Sequence, residues 1–282
     1  MTETVKMISW NVGGIDRWDD VMDQDVDLVL LQEARPAARA LPIEVIPDAA
    51  GEWRTSGWEK RDWRTCIARL SDRVSLHPRL IGNVDDARDT LMISRPGTIA
   101  AVDVYFGASY CFTAVSMYAP WERPPGADSP IYADASAHRI LSDLSALVVS
   151  SKRHRLIAAG DLNILHGYGE RGNQYWRGRY NTVFDRASAM GIGFVGPQHP
   201  NGRQADPWPD ELPRDSKDVV TFHTNQQAPE TAARQMDFVF ASDVLHDSVR
   251  ATALNEPDEW GPSDHCRILI EVAVDPHSPS VS

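Results

Sequence analysis

Residues 156–165 read LIAAGDLNIL. An apolar run, Leu156-Ile157-Ala158-Ala159, stops at Gly160, and a carboxylate and an amide follow at Asp161 and Asn163. A short continuous apolar run of this kind suits a buried strand. The polar pair then falls where that strand would leave the core. Taken alone, Gly-Asp after an apolar run also describes an ordinary turn, with the aspartate bonding its own backbone. The rest of the chain bears on the choice.

Four other apolar runs carry polar residues at or near an end. Ile8-Ser9-Trp10-Asn11 closes on an amide, and Leu28-Val29-Leu30-Leu31-Gln32-Glu33 closes on a carboxylate. Asp237 is embedded in Gln235-Met236-Asp237-Phe238-Val239-Phe240, and Asp264 and His265 stand just before the last apolar run. Each has a plain structural explanation: Asn11 as a turn before Gly13-Gly14, Glu33 as a cap, Asp237 as a satisfied carboxylate, His265 as a packed ring. Strand ends gather at one edge of a sheet, however, and buried carboxylates must be paired or bind a metal. Five such ends point to one polar cluster able to do both.

β-Rich apolar runs predict strands over Val5–Trp10, Asp27–Gln32, Thr98–Tyr105, Tyr110–Tyr118, Arg155–Ala159, Met236–Phe240 and Arg267–Val274, with Cys66–Leu70 a weaker candidate. Asp134–Ser150 predicts a helix, because Ile140, Leu141, Leu144, Leu147 and Val148 recur at three- and four-residue spacing. Asn181–Met190 predicts another, with Asn181 as N-cap and Gly191 as the stop. Strands outnumber helices and do not alternate strictly with them, which favours α and β layers around packed sheets over a Rossmann domain. Gly196–Asp218 and Trp121–Pro130, with Pro124-Pro125-Gly126, read as long loops. Residues 1–274 are expected to form one domain and 275–282 a disordered tail.

The chain has 282 residues, enough to bury a core without staples. Its net charge of -12 argues against tight, non-specific binding to long DNA, but a metal or a local basic patch can reverse the field at a site. Cys66, Cys111 and Cys266 form neither a CxxC nor a zinc pattern. The start, MTETVKMISW, has no apolar core of a signal peptide, and no run approaches a membrane span. A reduced, cytoplasmic protein without a membrane partner is the expectation.

The ordered motifs Ser9-Trp10-Asn11, Leu31-Gln32-Glu33, Met117-Tyr118-Ala119-Pro120, Gly160-Asp161-Leu162-Asn163, Met236-Asp237-Phe238 and Ser263-Asp264-His265 resemble the endonuclease/exonuclease/phosphatase superfamily over roughly residues 5–274. The resemblance implies an α+β, DNase I-like fold: a four-layer αββα sandwich of two stacked mixed β-sheets with its active site at one edge. It implies a divalent-metal-dependent phosphoesterase. Glu33 would be the principal ligand of Mg²⁺, or of Mn²⁺ in its place, with Asn11 and Asp264 nearby. Asp161 would position or deprotonate the attacking water. His265 would donate to the phosphate, Asp237 would orient His265, and Tyr118 would touch the phosphate. In an extended strand, side chains two apart share a face, so Asn163 would hold the same water or a phosphate oxygen. AP endonucleases of this family usually carry Asp shortly after the SWN asparagine, where this chain has Gly13-Gly14, which weakens a repair role.

Two stretches mix aromatic and basic residues, as nucleic-acid contacts do. Trp53, Trp58 and Trp63 alternate with Arg54, Lys60, Arg61 and Arg64, and Tyr175 and Trp176 sit beside Arg171, Arg177 and Arg179. The same rings could instead pack on the sandwich with their charges solvated. A nuclease acting on DNA or RNA is the leading expectation. A phosphatase or phosphodiesterase for a nucleotide or other small phosphorylated metabolite is the alternative, and a scaffold without turnover is a third.

Overall fold

Alternation along the strands organises the molecule. The computed structural model describes residues 2–47, 53, 55, 61–79, 81–82, 91–122, 132–148 and 154–275. Its first half contains β1 (Glu3–Asn11), α1 (Trp18–Met22), β2 (Leu28–Ala34), β3 (Glu44–Ile46), β4 (Arg64–Arg69) and β5 (Val74–Pro78). Next come the two-residue strands β6 (Ile81–Gly82) and β7 (Leu91–Met92), then β8 (Ile99–Phe106), β9 (Ser109–Tyr118) and α2 (Ala133–Leu144). The second half contains β10 (Leu156–Asp161), α3 (Gln174–Ala189), β11 (Ile192–Gly196), β12 (Asp237–Ser242), β13 (Val249–Leu254) and β14 (Arg267–Val274).

Two six-stranded sheets form, with orders β13-β14-β1-β2-β4-β3 and β11-β12-β10-β9-β8-β5. Each has one parallel pair at its centre, β1 with β2 and β9 with β10, among antiparallel neighbours. Val5, Met7, Leu28 and Leu30 of the first sheet meet Ala100, Val102, Phe112, Ala114, Ile157, Ala159 and Val239 of the second in one buried cluster. The alternate residues Ile8, Trp10, Val29 and Leu31 face outward onto Trp18 and Val21 of α1. On the far side, Ile99, Ala101, Val115, Leu156, Ala158, Phe238 and Phe240 pack under α2 and α3. Three apolar interfaces thus separate four layers, the outer one over the first sheet holding, among the described residues, a single five-residue helix. Each buried Leu, Ile, Val or Phe contributes about 1.5–3 kcal/mol.

Several sequence-based boundaries shift. The helix expected at Asn181–Met190 begins at Gln174, and Asn173 is its N-cap, accepting from the Tyr175 backbone N at 2.9 Å. Asn181 lies inside it. Of the second aromatic-basic stretch, Tyr175, Trp176, Arg177 and Arg179 therefore lie on this helix. Gly191, at φ 70°, follows the helix as the expected stop. The helix expected to reach Ser150 ends at Leu144 and tightens into a 3₁₀ turn over Ser145–Leu147. The strands β3, β5, β11 and β13 are short or half-exposed, without the apolar runs that mark the others. Arg54, Trp58, Lys60, Pro124-Pro125-Gly126 and residues 276–282 lie outside the described residues. Among the described residues no helix is long and apolar enough to cross a membrane.

Candidate active site

The two parallel pairs point their C-terminal ends at the same edge of the sandwich, where loops of open α/β sheets present ligand-binding groups. Asn11 ends β1, Tyr118 ends β9 and Asp161 ends β10, while Asp237 starts β12 and pairs in register with Asp161. Alternation puts Asp161 on the face of Ile157 and Ala159, and Asp237 on the face of Val239. Both carboxylates therefore project between the sheets. Just inside them Gln32 pins the sheets together, its Nε2 donating to Ser116 Oγ at 2.9 Å and reaching Ser9 Oγ at 3.3 Å. Gly160 is required by close approach: a Cβ there would lie 1.8 Å from the Met117 carbonyl oxygen.

Glu33 breaks the alternation. Residues 28, 30 and 32 face inward, so position 33 would face out with Val29 and Leu31. Instead Glu33 takes φ 52°, at a register shift between β2 and β4, and its side chain turns into the site. That left-handed conformation costs a non-glycine residue about 1–2 kcal/mol. Asn11 Nδ2 reaches Glu33 Oε1 at 3.4 Å, and the Tyr118 hydroxyl bonds the same carboxylate. Burial raises the Glu33 carboxyl above its ordinary value, against the pull of Tyr118, His265 and Asn11.

Asp161 is held from several directions. Its Oδ1 accepts from Asn163 N at 2.8 Å, and its Oδ2 accepts from Asn11 Nδ2 at 2.9 Å and Asn163 Nδ2 at 3.1 Å. Asn163 does not reach it by strand alternation, as expected from the two-residue spacing. The strand ends at Asp161, and Asn163 folds back at φ 52°. Its Nδ2 also donates to Ala119 O at 3.2 Å. Burial raises the Asp161 carboxyl, opposed by the facing imidazole and reinforced by Asp237 and Glu33.

That imidazole is His265. Its Nδ1 lies 2.8 Å from Asp237 Oδ2, and its Nε2 faces Asp161 Oδ2 at 3.8 Å, beyond hydrogen-bonding distance. Burial disfavours the imidazolium, but Asp237 and Asp161 outweigh it and hold the ring's pKa up to about 10. The ring is therefore a cation at neutral pH. Ser263 Oγ donates to Asn11 O at 2.7 Å and accepts from His265 N at 3.2 Å, tying this segment to the end of β1. Thr221, which no sequence signal marks, accepts through Oγ1 from the backbone N–H groups of Met236 and Asp237 at 2.9 and 3.1 Å. Burial, then Glu33 and Asp161, push the Tyr118 phenol well above its ordinary range, so it remains a donor.

All eight sequence-predicted site residues come together: Asn11, Glu33, Tyr118, Asp161, Asn163, Asp237, Asp264 and His265. Asp264 lies beside Gly13, where a Cβ would sit 3.4 Å from the aspartate Oδ1, and it acts electrostatically on both Glu33 and His265. Four carboxylates thus converge on one imidazolium. Among the described residues no three His, Cys, Asp or Glu side chains form a ready-made metal cluster. The donors still suit a hard divalent cation: Glu33 and Asp264 offer carboxylate oxygens, and Mg²⁺ completes its shell with water. As placed, the Asn11 amide nitrogen faces the carboxylates while its oxygen accepts from Gly13 N at 2.9 Å.

The aromatic-basic stretches divide. Arg61 acts electrostatically on Tyr118 and lies over the Trp63 ring, 5.3 Å from its centroid. Arg179 is committed to packing: it bonds Asp134 at 2.6 Å and lies 4.8 Å from the Tyr132 ring centroid. Trp121, in sequence no more than the start of a loop, belongs to the site. Its Nε1 donates to Asn163 Oδ1 at 2.6 Å, at the rim.

A model of the Endonuclease/Exonuclease/phosphatase family matches residues 8–265. No curated protein matches the chain by sequence. Among solved structures, the AP endonuclease LMAP from Leishmania major is similar at TM-score 0.61 and 13% identity, covering 96% of this chain and 88% of that one. The endonuclease domain of TRAS1, a telomere-specific non-LTR retrotransposon, reaches 0.58 at 14% identity over 95% of this chain and 98% of that one. The 3′ phosphatase NExo from Neisseria, bound to product DNA hairpin, reaches 0.55 at 16% identity over 95% and 99%. At these identities the likeness is one of fold.

Proposed function

The chain belongs to the endonuclease/exonuclease/phosphatase family, a family of phosphoester hydrolases, and from that premise we propose that it is a divalent-metal-dependent nuclease. The observation that carries this reading is the opposition of Asp161 and His265 across 3.8 Å, one an acceptor and the other a cation held by Asp237. The gap is too small to hold a phosphate, so a phosphodiester docks over the pair, with the base aimed at the attacking water and the donor at a non-bridging oxygen.

Asp161 accepts the proton of the attacking water, and Asn163 and Asn11 fix its carboxylate in place. His265 Nε2–H donates to a non-bridging oxygen as negative charge builds there. Asp237 stabilises the imidazolium and sets which nitrogen faces outward. Tyr118 donates to Glu33 and keeps that carboxylate oriented. Glu33, with Asp264, would hold the cation, which neutralises phosphate charge and aids the leaving oxygen. Burial raises the Asp161 carboxyl toward neutrality, the range in which a general base works best at neutral pH.

The purified protein should cut single- or double-stranded DNA or RNA in Mg²⁺ or Mn²⁺, and lose that activity in EDTA and in Asp161→Ala. Failure of both losses would overturn the reading. The net charge of -12 favours the second reading, a phosphoesterase for a small phosphorylated metabolite. A nuclease gains affinity with oligonucleotide length and loses it steeply with salt, whereas a small-molecule enzyme does neither.

A further inference from the structure

Trp121 is 55% exposed, and a hydrogen bond holds it at the rim of the site. Its indole N–H donates to Asn163 Oδ1 at 2.6 Å, and the same Asn163 donates to Asp161 at 3.1 Å. One hydrogen-bonded step therefore separates the indole from the carboxylate that faces His265. The next residue is clamped as well. Glu122 O accepts from Tyr132 N at 2.7 Å, and its carboxylate is shared by Arg95 and Arg139, each at 3.2 Å. Two guanidinium groups against one carboxylate leave a surplus positive charge beside the ring. Arg95 also acts electrostatically on Tyr118, on the floor of the site.

An exposed indole normally gains by folding down onto the protein. Here the N–H bond to Asn163 and the contacts of Glu122 hold it out. Such preorganisation lowers the ordering cost of binding. A flat π-face beside a phosphate site and a positive surplus are the components of single-strand recognition, where bases stack on aromatic rings and arginines meet the backbone. A paired base inside a duplex cannot offer its face.

We propose that Trp121 is the base-stacking residue of this site, receiving the unpaired nucleobase adjacent to the phosphate that docks against Asp161 and His265, so that single-stranded nucleic acid is the preferred substrate. This rests on the nuclease reading above. The shared chemistry is an unpaired base next to a phosphate, which a free nucleotide also offers, and the single strand is favoured because Arg139 adds a second, 44% exposed guanidinium at the Glu122 carboxylate beside the ring.

The test compares a single-stranded decanucleotide with the same strand lacking the bases that flank the cleaved bond, for wild type, Trp121→Ala and Trp121→Phe. Phe keeps a stacking face and loses the N–H bond to Asn163. Trp121→Ala should lower kcat/KM on the base-bearing strand on the order of 10–100-fold. Trp121→Phe should keep most of the preference for the base-bearing strand, and Trp121→Ala should lose it. Anisotropy of the two labelled strands on Asp161→Ala, with and without Trp121→Ala, reads the same preference as affinity without turnover. Mononucleotides in parallel separate the two sources: dependence on Trp121 confined to them would overturn the single-strand assignment. Equal preference in Trp121→Ala and wild type would overturn the stacking role, as would equal losses in Phe and Ala, which would leave only a positioning bond to Asn163. Asp161→Ala that still cuts like wild type would instead sink the nuclease reading, so the two failures are distinguishable.

Discussion

Two histidine–carboxylate pairs of the same length lie close together in this molecule. His265 Nδ1 is 2.8 Å from Asp237, and His166 Nδ1 is 2.8 Å from Asp218. Their settings are opposite. His265 faces a second carboxylate, Asp161, across 3.8 Å. His166 faces phenyl rings, with centroids of Phe184 and Phe194 at 4.7 and 4.8 Å and Phe238 at 6.5 Å. The strand β12 explains the difference, because Asp237 projects between the sheets while Phe238 projects toward the helices. A pair of this kind becomes chemistry only when a third polar group stands opposite its free nitrogen. Without one it is a packed, hydrogen-bonded ring.

That comparison can be broken most forcefully through activity. His265→Gln should cost about 10²–10⁴-fold in kcat, the usual contribution of a positioned acid–base group, while His166→Gln should leave kcat within a few-fold. Steady-state kinetics on the cleaved nucleic acid checks both. Equal losses would erase the distinction between the pairs.

The second effect concerns the charge around the first pair. Glu33→Gln should raise the Mg²⁺ concentration needed for half-maximal activity by at least about 10–100-fold, the range for groups supporting a metal site. A metal titration of the rate measures it, and an unchanged midpoint would place the cation elsewhere.

The third effect is stability at the other pair. Asp218 is buried, and its Oδ2 has no hydrogen-bond partner. His166→Ala would leave the whole carboxylate without its imidazole, at a cost of about 1–3 kcal/mol, read from urea denaturation. A neutral result would show that Asp218 relaxes into solvent.

A fourth effect is in pH. The His265 imidazolium is held up to about 10, above the ordinary histidine value of 6.5, by Asp237 and Asp161 against the cost of burial. A raised histidine stabilises the fold fully below about 6.5, and that contribution is lost as pH rises through about 10. The Tm of the wild type should therefore fall between about pH 7 and about pH 10, and the fall should be shallower in His265→Gln. Parallel slopes would mean the charged pair contributes nothing to the fold.

Much of this is legible in the chain. LIAAGDLNIL, Ile8–Asn11 and Leu28–Glu33 announce apolar strands that end in polar groups, and the order of those ends carries the family. The strands β3, β5, β11 and β13 are not legible, because half-exposed edge strands lack the continuous apolar run of central ones. The start of α3 is hidden because Arg171, Gly172 and Gly178 read as loop, although Asn173 stands there as its cap. Thr221, Arg95 and Trp121 join the site from loops whose local pattern is ordinary.

Where the strands of the two central parallel pairs end, and which polar groups stand there, is set by the chain alone, because apolar periodicity is a local property written residue by residue. Which groups face one another is decided only by the packing in three dimensions. Glu33 enters the site through a left-handed turn that its alternation would forbid, and Asn163 folds back rather than continuing a strand. His265 meets a second carboxylate while His166 meets phenyl rings. The physical reason is that a side chain's charge and reactivity depend on what packs within a few ångströms of it, and those neighbours come from segments far apart in the chain.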